Sequence, residues 1–454
     1  MKDVSFVPPR QFVRMCRTTQ KRQKLADSTG QQLTGGELLL RTLVVRRLLR
    51  RVVLETDERY VGILLPPTVA GAVVNAAVTL DRRIAVNLNY TVSSAILNEC
   101  IGQCGIRHVI TSRRVLEKLR ERFPIEIACK VVYLEDLVQQ VSRVDKLVSY
   151  LQAYWTPLAL LERTLKLDEV QPDDTMTVIF TSGATGRPKG VVLSYRNIGS
   201  NIEAVNQVVR LARDDVLVGI LPLFHSFGYT VTLWTVLTLE PKGIYHYSPL
   251  EAREIGKLCR NHQATILIAT PTFLRSYLRR CEPEDFRSLD VAFVGAEKMP
   301  IELANAFERA FGVRPTEGYG TTELSPVAAA NMPPSRALRA DNAGVKEGSV
   351  GRPLPGIRAK VVELESGEDL GVGEAGMLCI SGPNVMQGYL NRPDLTREVI
   401  RDGWYVTGDV AEIDDEGFIH ITGRLARFSK LGGEMVPHIR IEEVIAAMLR
   451  LPED

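Results

Sequence analysis

Between Thr177 and Ser194 the chain reads Thr-Val-Ile-Phe-Thr-Ser-Gly-Ala-Thr-Gly-Arg-Pro-Lys-Gly-Val-Val-Leu-Ser. A β-branched and aromatic run enters a loop of small and hydroxyl residues, and an apolar run leaves it, which predicts strand, loop, strand. The loop suits phosphate. Gly183, Gly186 and Gly190 let the backbone approach an anion, Thr181, Ser182 and Thr185 supply hydroxyl donors, and Lys189 supplies a mobile positive charge. It is not a Walker A loop, because Pro188 stands where the second glycine would be and Gly190, not Ser or Thr, follows Lys189. A glycine-rich turn without a ligand is the plainer reading of the glycines taken alone.

Two further constellations change that balance. Glu317-Gly-Tyr-Gly-Thr-Thr-Glu323 sets an aromatic ring between two glycines, which can present Tyr319 to a purine, with a hydroxyl and a carboxylate just after it. A carboxylate beside a phosphate loop calls for a cation between them, and Mg²⁺ takes one or two carboxylates with phosphate and water. Trp404-Tyr-Val-Thr-Gly-Asp409, followed by Gly423-Arg424, offers a carboxylate for a ribose diol and a guanidinium for a phosphate or ribose oxygen. In isolation each would pass for a surface turn.

The Thr-Ser-Gly-x-Thr-Gly-x-Pro-Lys-Gly string, and the order and separation of the three motifs, resemble the adenylate-forming superfamily of acyl-CoA synthetases, luciferases and peptide-synthetase adenylation domains. The resemblance runs from about Gln31 to the last residue. It implies that Thr181, Ser182, Gly183, Ala184, Thr185, Gly186 and Lys189 meet the phosphates of ATP. It implies that Gly295-Ala296-Glu297 and the stretch Glu317, Gly318, Tyr319, Gly320 and Thr321 surround adenine, with Thr322 on the α-phosphate and Glu323 on Mg²⁺. Asp409 matches the ribose ligand, Arg424 the residue before an interdomain hinge, and Pro222-Leu-Phe-His225-Ser-Phe-Gly228 a motif lining an acyl pocket. Read without that likeness, His225 is a packed core histidine. Softer likenesses at Val86–Thr91, Glu317–Pro326 and Phe428–Val436 are to the acyl-acyl carrier protein synthetase part of 2-acylglycerophosphoethanolamine acyltransferases. Ala426 departs from the Asp or Lys that many relatives place at the hinge. The chain also stops before the position of a C-terminal lysine that the family uses in adenylation, so the expectation is a weak first half-reaction if the chain is whole.

The elements needed to position these residues are legible as an α/β pattern. Strand and helix signals alternate: Tyr60–Leu65 then Val69–Leu80, Ile84–Leu88 then Ser93–Cys104, His108–Thr111 then Arg113–Arg122, then Lys130–Leu134. A second block runs through a helix at Tyr195–Leu211, strands at Val216–Leu221, Thr265–Ala269 and Val291–Val294, and a helix at Pro300–Phe311 ended by Gly312. After Gly348, short strands with turn residues predict a small β-rich unit, including a hairpin across Asp414-Asp415-Glu416-Gly417. The expected organisation is a large multi-layer α/β N-terminal domain over 1–424, with αβ subdomains at about 31–170 and 171–347 and a β-rich subdomain at about 348–424. Residues 425–454 then begin an incomplete C-terminal domain.

Length and composition bound the rest. A chain of 454 residues has ample core, and 56 Lys plus Arg against 54 Asp plus Glu leaves a formal charge of +2, which speaks against a nucleic-acid footprint. Cys100 and Cys104 read as core thiols rather than metal ligands, and the seven scattered cysteines suit a reducing compartment. No signal peptide is visible, so a cytoplasmic protein is expected. Tyr60–Leu80 is long and apolar enough to suggest a membrane span, but Pro66-Pro67 and Asn75 favour a strand and a helix. Two stretches leave peripheral membrane contact open: the Arg41, Arg46, Arg47, Arg50, Arg51 helix, whose default is a solvated face, and the apolar helical piece from Leu137 to Leu167.

The reaction expected from the resemblance is ATP-dependent activation of a fatty acid as an acyl-adenylate, followed by transfer to a thiol of acyl carrier protein or coenzyme A. The rivals are a nucleotide- or acyl-binding remnant without turnover, an aryl or amino acid adenylating module, and a membrane scaffold.

Overall fold

A computed structural model describes residues 6–121, 125–182, 187–425, 428–431 and 434–437. Of the expected site, Gly183, Ala184, Thr185 and Gly186 lie outside the described residues, as does Ala426. Among the described residues the strands form sheets of seven, nine and five strands and a two-stranded ribbon, the mixed α/β multi-sheet architecture expected from the alternation.

The seven-stranded sheet follows the first block of alternation. His108–Thr111, Tyr60–Ile63, Ile84–Asn87 and Thr175–Ser182 are parallel neighbours. Their runs are buried on both faces, which is why they read as continuous apolar stretches. The apolar window Tyr60–Leu80 resolves into strand Tyr60–Ile63 and helix Val69–Leu80, and Asn75 is satisfied inside the fold by Gly71 O and Asn87. Pro188–Ser194 pairs antiparallel with Thr175–Ser182, with Thr181 opposite Lys189, so the strand, loop, strand reading holds. Gly190 has a different reason for being glycine than the one expected. A Cβ there would come within 2.9 Å of Val178 and 3.1 Å of Phe180, so the residue serves strand packing.

The nine-stranded sheet carries the second block. Thr316–Gly320, Val291–Val294, Ile266–Ala269, Val216–Gly219 and Lys242–Tyr245 run parallel in that order. Gln23–Asp27, far away in sequence, continues the sheet beside Lys242–Tyr245. Sheet membership therefore crosses the linear divisions at 31–170 and 171–347: the N-terminal hairpin joins the second sheet, and Gly388–Tyr389 joins the first beside Pro188–Ser194. The five-stranded sheet lies within the β-rich stretch, with Trp404–Ile413 against Ile419–Arg424 across the expected 414–417 turn.

Three local expectations are corrected. The 137–167 piece is not one long helix but part of three, Leu134–Gln139, Arg143–Tyr154 and Leu158–Thr164. Ser142 caps the second through a reciprocal capping box with Asp145, and Pro157 sets the start of the third. The arginines of helix Gly35–Leu48 and the turn after it are mostly tied to acids rather than standing as a free basic row, while Arg41, Arg50 and Arg51 keep the exposure of a solvated face. Arg46 and Arg50 meet Asp81, and Arg47 and Arg51 meet Asp145. Finally, Tyr319 sits in a strand, not on a tight loop. Gly320 is required there because a Cβ would fall 2.0 Å from the Pro326 carbonyl oxygen. No helix among the described residues is long and apolar enough to cross a membrane.

Candidate active site

All three sheets end at one cavity of about 930 Å³. The seven-stranded sheet supplies Thr181 and Lys189 to its wall, and the nine-stranded sheet supplies Gly295, Gly318, Tyr319 and Gly320. Arg424 closes one side from the five-stranded sheet. Parallel strands deliver their C-terminal ends to a common crevice, so residues distant in sequence meet there.

Tyr389 organises the side of the cavity that holds Lys189 and Glu323. The segment 383–390 is clamped on both flanks: Asn197 Nδ2 donates to the Pro383 and Val385 carbonyls at 2.9 and 2.7 Å, and the Leu390 amide donates to Gly190 O at 2.7 Å. On the other flank the Met386 amide donates to Glu323 O at 2.8 Å, and Asn384 Nδ2 to Leu324 O at 2.9 Å. Held in this way, the Tyr389 phenol donates to Glu323 Oε1 at 2.8 Å, and its ring lies 4.8 Å from Lys189 Nζ. Burial, reinforced by Glu323, pushes the phenol well above its ordinary range, so it stays a donor. One oxygen of Glu323 is thus fixed, while the residue remains on the cavity wall. A single oriented carboxylate beside the Thr322 hydroxyl fits Mg²⁺ when nucleotide and water supply the remaining oxygens, and no cluster of three or more potential ligands occurs among the described residues.

The Tyr319 phenol donates to Asp409 Oδ2 at 2.6 Å, and Arg424 Nε lies 3.6 Å from Asp409 Oδ1. Burial raises the Asp409 carboxyl, with Tyr319 and Arg424 opposing that rise. Asp409 stands behind Tyr319 rather than on the cavity wall itself.

His225 and Ser226 begin a π-helical stretch, Phe227–Trp234, made possible by Gly228, where a Cβ would meet the Pro222 oxygen at 2.2 Å. Ser226 Oγ donates to Thr322 Oγ1 at 3.2 Å. His225 is not a packed core residue: it is exposed on the cavity wall, its ring 4.6 Å from that of Phe224. Enclosure by protein lowers its pKa, which favours a neutral imidazole.

Of the residues expected at the site, Thr181, Lys189, His225, Gly295, Ala296, Glu297, Gly318, Tyr319, Gly320, Thr321, Thr322, Glu323 and Arg424 line this one cavity. Ser182 ends its strand. Glu317, like Asp409, is not on the cavity wall: its Oε1 accepts the Met299 amide at 3.0 Å. Tyr389 escaped the sequence reading. Its only signal was the Gly388-Tyr389 pair before Asn391-Arg392-Pro393, a glycine and an aromatic ahead of a turn.

The sequence model described as AMP-binding enzyme matches residues 12–390. The chain belongs to the AMP-binding enzyme family. Among relatives of this AMP-binding protein, a long-chain-fatty-acid–CoA ligase of Bacillus subtilis (strain 168) is 34% identical over 293 residues, covering 62% of this chain and 50% of the relative. A probable 4-coumarate–CoA ligase 3 of Dictyostelium discoideum is 30% identical over 379 residues, 79% of this chain and 66% of the relative. The chain therefore spans about half to two thirds of the length of these relatives. The ATP-bound structure of MatB from Rhodopseudomonas palustris superposes with a TM-score of 0.77 at 25% identity, covering 97% of this chain and 83% of that one. The o-succinylbenzoate coenzyme A synthetase of Bacillus subtilis in complex with ATP and magnesium ion shares the fold, with a TM-score of 0.78 at 22% identity over 98% of this chain and 85% of that one.

Proposed function

We propose that this protein activates an aliphatic carboxylic acid with ATP and passes the acyl group to a thiol, of coenzyme A or of an acyl carrier protein. One observation carries the reading: the cavity joins two chemistries. Its lining includes Thr181, Lys189, Thr322 and Glu323 and also the apolar Val205, Val208, Leu217, Val231, Ile266 and Met332. A hydrocarbon chain gains from leaving water for such a lining, whereas a second charged group on the substrate would be left unpaired.

In this reading a carboxylate oxygen attacks the α-phosphorus and the bond to pyrophosphate breaks. The thiol sulfur then attacks the acyl carbon and AMP leaves. Carboxylates are poor electrophiles, so the gain comes from a good leaving group, from positioning and from fixed charge at the phosphates. Lys189, steadied over the Tyr389 ring, faces the negative charge that develops there. A bound magnesium ion would add charge neutralisation at Glu323. Thr322, oriented by Ser226, offers a donor toward the α-phosphate, and neutral His225 can donate to a carboxylate without trapping it in an ion pair.

A second reading, an aryl acid substrate, is favoured by the 4-coumarate ligase relative and by Phe227, Phe273 and Phe293 on the wall. Calorimetric binding of acyl-sulfamoyl adenosines separates the two without needing turnover. The palmitoyl compound should bind about a hundredfold tighter than AMP, and a coumaroyl compound should not. Equal affinity for palmitoyl-sulfamoyl adenosine and AMP removes the fatty acid. In fatty-acid-dependent ATP–pyrophosphate exchange, Glu323→Gln should lose about 10²-fold; an unchanged rate removes its metal role.

A further inference from the structure

The helix pair Arg143–Tyr154 and Leu158–Thr164 is fastened to the fold entirely from its inner side. Arg47 and Arg51 meet Asp145, Arg10 and Arg14 meet Glu162, and Arg17 donates to the Gln152, Tyr154 and Thr156 carbonyls. These contacts bury both carboxylates that occur between Ser142 and Leu167. The outer side is of a different kind. Val144, Leu147 and Leu151 recur three and four residues apart, Trp155 follows four residues on, and Leu160 is exposed on the next helix. Trp155 is 74% exposed, Val144 62% and Leu147 60%. Arg143, next to this ridge, and Arg163, next to Leu160, are exposed and have no ion pair among the described residues.

An apolar ridge with a tryptophan at its bend, fringed by cations and with its own acids turned inward, is the surface chemistry of an interfacial helix. We propose that this face docks on an anionic lipid bilayer, the apolar ridge entering the acyl boundary and Arg143 and Arg163 meeting lipid phosphates. A second copy of the chain is the poorer fit, because a two-fold contact through this face sets the same cations against one another. The inference stands apart from the adenylation reading, since none of these residues touches the cavity.

The test is flotation of the full chain with vesicles of phosphatidylcholine alone and with phosphatidylglycerol added. Binding should need the anionic lipid and should fall about tenfold in high salt. The Leu147→Ser/Trp155→Ser double variant should lose about tenfold or more on anionic vesicles while its ATP binding stays unchanged. Arg143→Gln/Arg163→Gln should weaken binding to anionic vesicles. In the wild type, Trp emission should shift to the blue on binding, and the shift should be lost in Trp155→Ser, since Trp234 is already buried and Trp404 is half-buried elsewhere in the fold. Flotation of Leu147→Ser/Trp155→Ser equal to wild type overturns the proposal. So does absence of wild-type flotation, or a wild-type dimer that Trp155→Ser disperses without any vesicle binding.

Discussion

Asp409, a candidate site residue, occupies an electrostatically unfavourable place. It is buried, its carboxyl is raised by that burial, and its two oxygens face the Tyr319 phenol and the Arg424 guanidinium. A raised folded-state pKa means that the folded protein holds the proton more tightly than the unfolded chain. The associated stability is present below the unfolded carboxylate value and is lost as pH rises through the folded one. Asp409→Asn should therefore raise the melting temperature at pH 8, with the gain shrinking toward pH 4, while weakening ATP binding about tenfold or more through loss of a charged acceptor. Thermal melts across that pH range and ATP titration check both parts; a uniform loss of stability would show that the charge is well accommodated. The residue types at this site were legible because each motif is contiguous. Tyr389 was not, because what makes it useful is its contact with Glu323, and no local spacing encodes a contact across 66 residues.

At the scale of elements, the inner end of the cavity depends on a segment that looks unremarkable in sequence. The Arg210 amide donates to Arg336 O at 2.7 Å, the Leu338 amide to Val208 O at 2.8 Å, and Val209 bridges Ala337, so residues 336–338 back the apolar wall at Val208 and Val209. Arg336 anchors the segment through Asp215 Oδ2 at 2.8 Å and through Asp290. Burial alone would raise the Asp215 carboxyl, but hydrogen bonds from Arg336, the Ala212 amide and Thr265 outweigh it and hold it below the usual range. Its contribution is present above the unfolded carboxylate value near 3.9 and is lost as pH falls through the folded one. Arg336→Ala should cost about 3–5 kcal/mol at pH 7, since it strands a buried charge, and less near pH 3, where the Asp215 carboxyl of the variant, no longer held down by Arg336, can take up a proton. Denaturant titrations at the two pH values measure this. Helices such as Val69–Leu80 and strands such as His108–Thr111 were readable from periodicity alone. The three short helices of 134–164 were not, because Ser142 and Pro157 interrupt an apolar pattern that by itself runs on.

For the whole molecule, the site belongs to no single sheet. Thr181 and Lys189, Tyr319 and Glu323, and Asp409 and Arg424 arrive from separate parts of the chain, and Gln23–Asp27 pairs with a strand more than 200 residues later. Such pairings were beyond the sequence, which reveals that an apolar strand exists but not which free edge it will meet. A ligand gripped from all sides should stabilise the fold as one unit. A non-hydrolysable ATP analogue at a hundredfold excess over its Kd should add about 2.7 kcal/mol and move a single melting transition upward. Scanning calorimetry tests this; a transition that splits, with only part of it moving, would show the sheets responding separately.

The Tyr319 to Asp409 hydrogen bond spans the nine- and five-stranded sheets, with Arg424 at the other oxygen. An incoming sugar hydroxyl would find that acceptor already spoken for. Its affinity is then set by an exchange of partners, the new bond less the share withdrawn from the old one, and the protein's grip on nucleoside is bound up with how firmly two of its own layers hold each other.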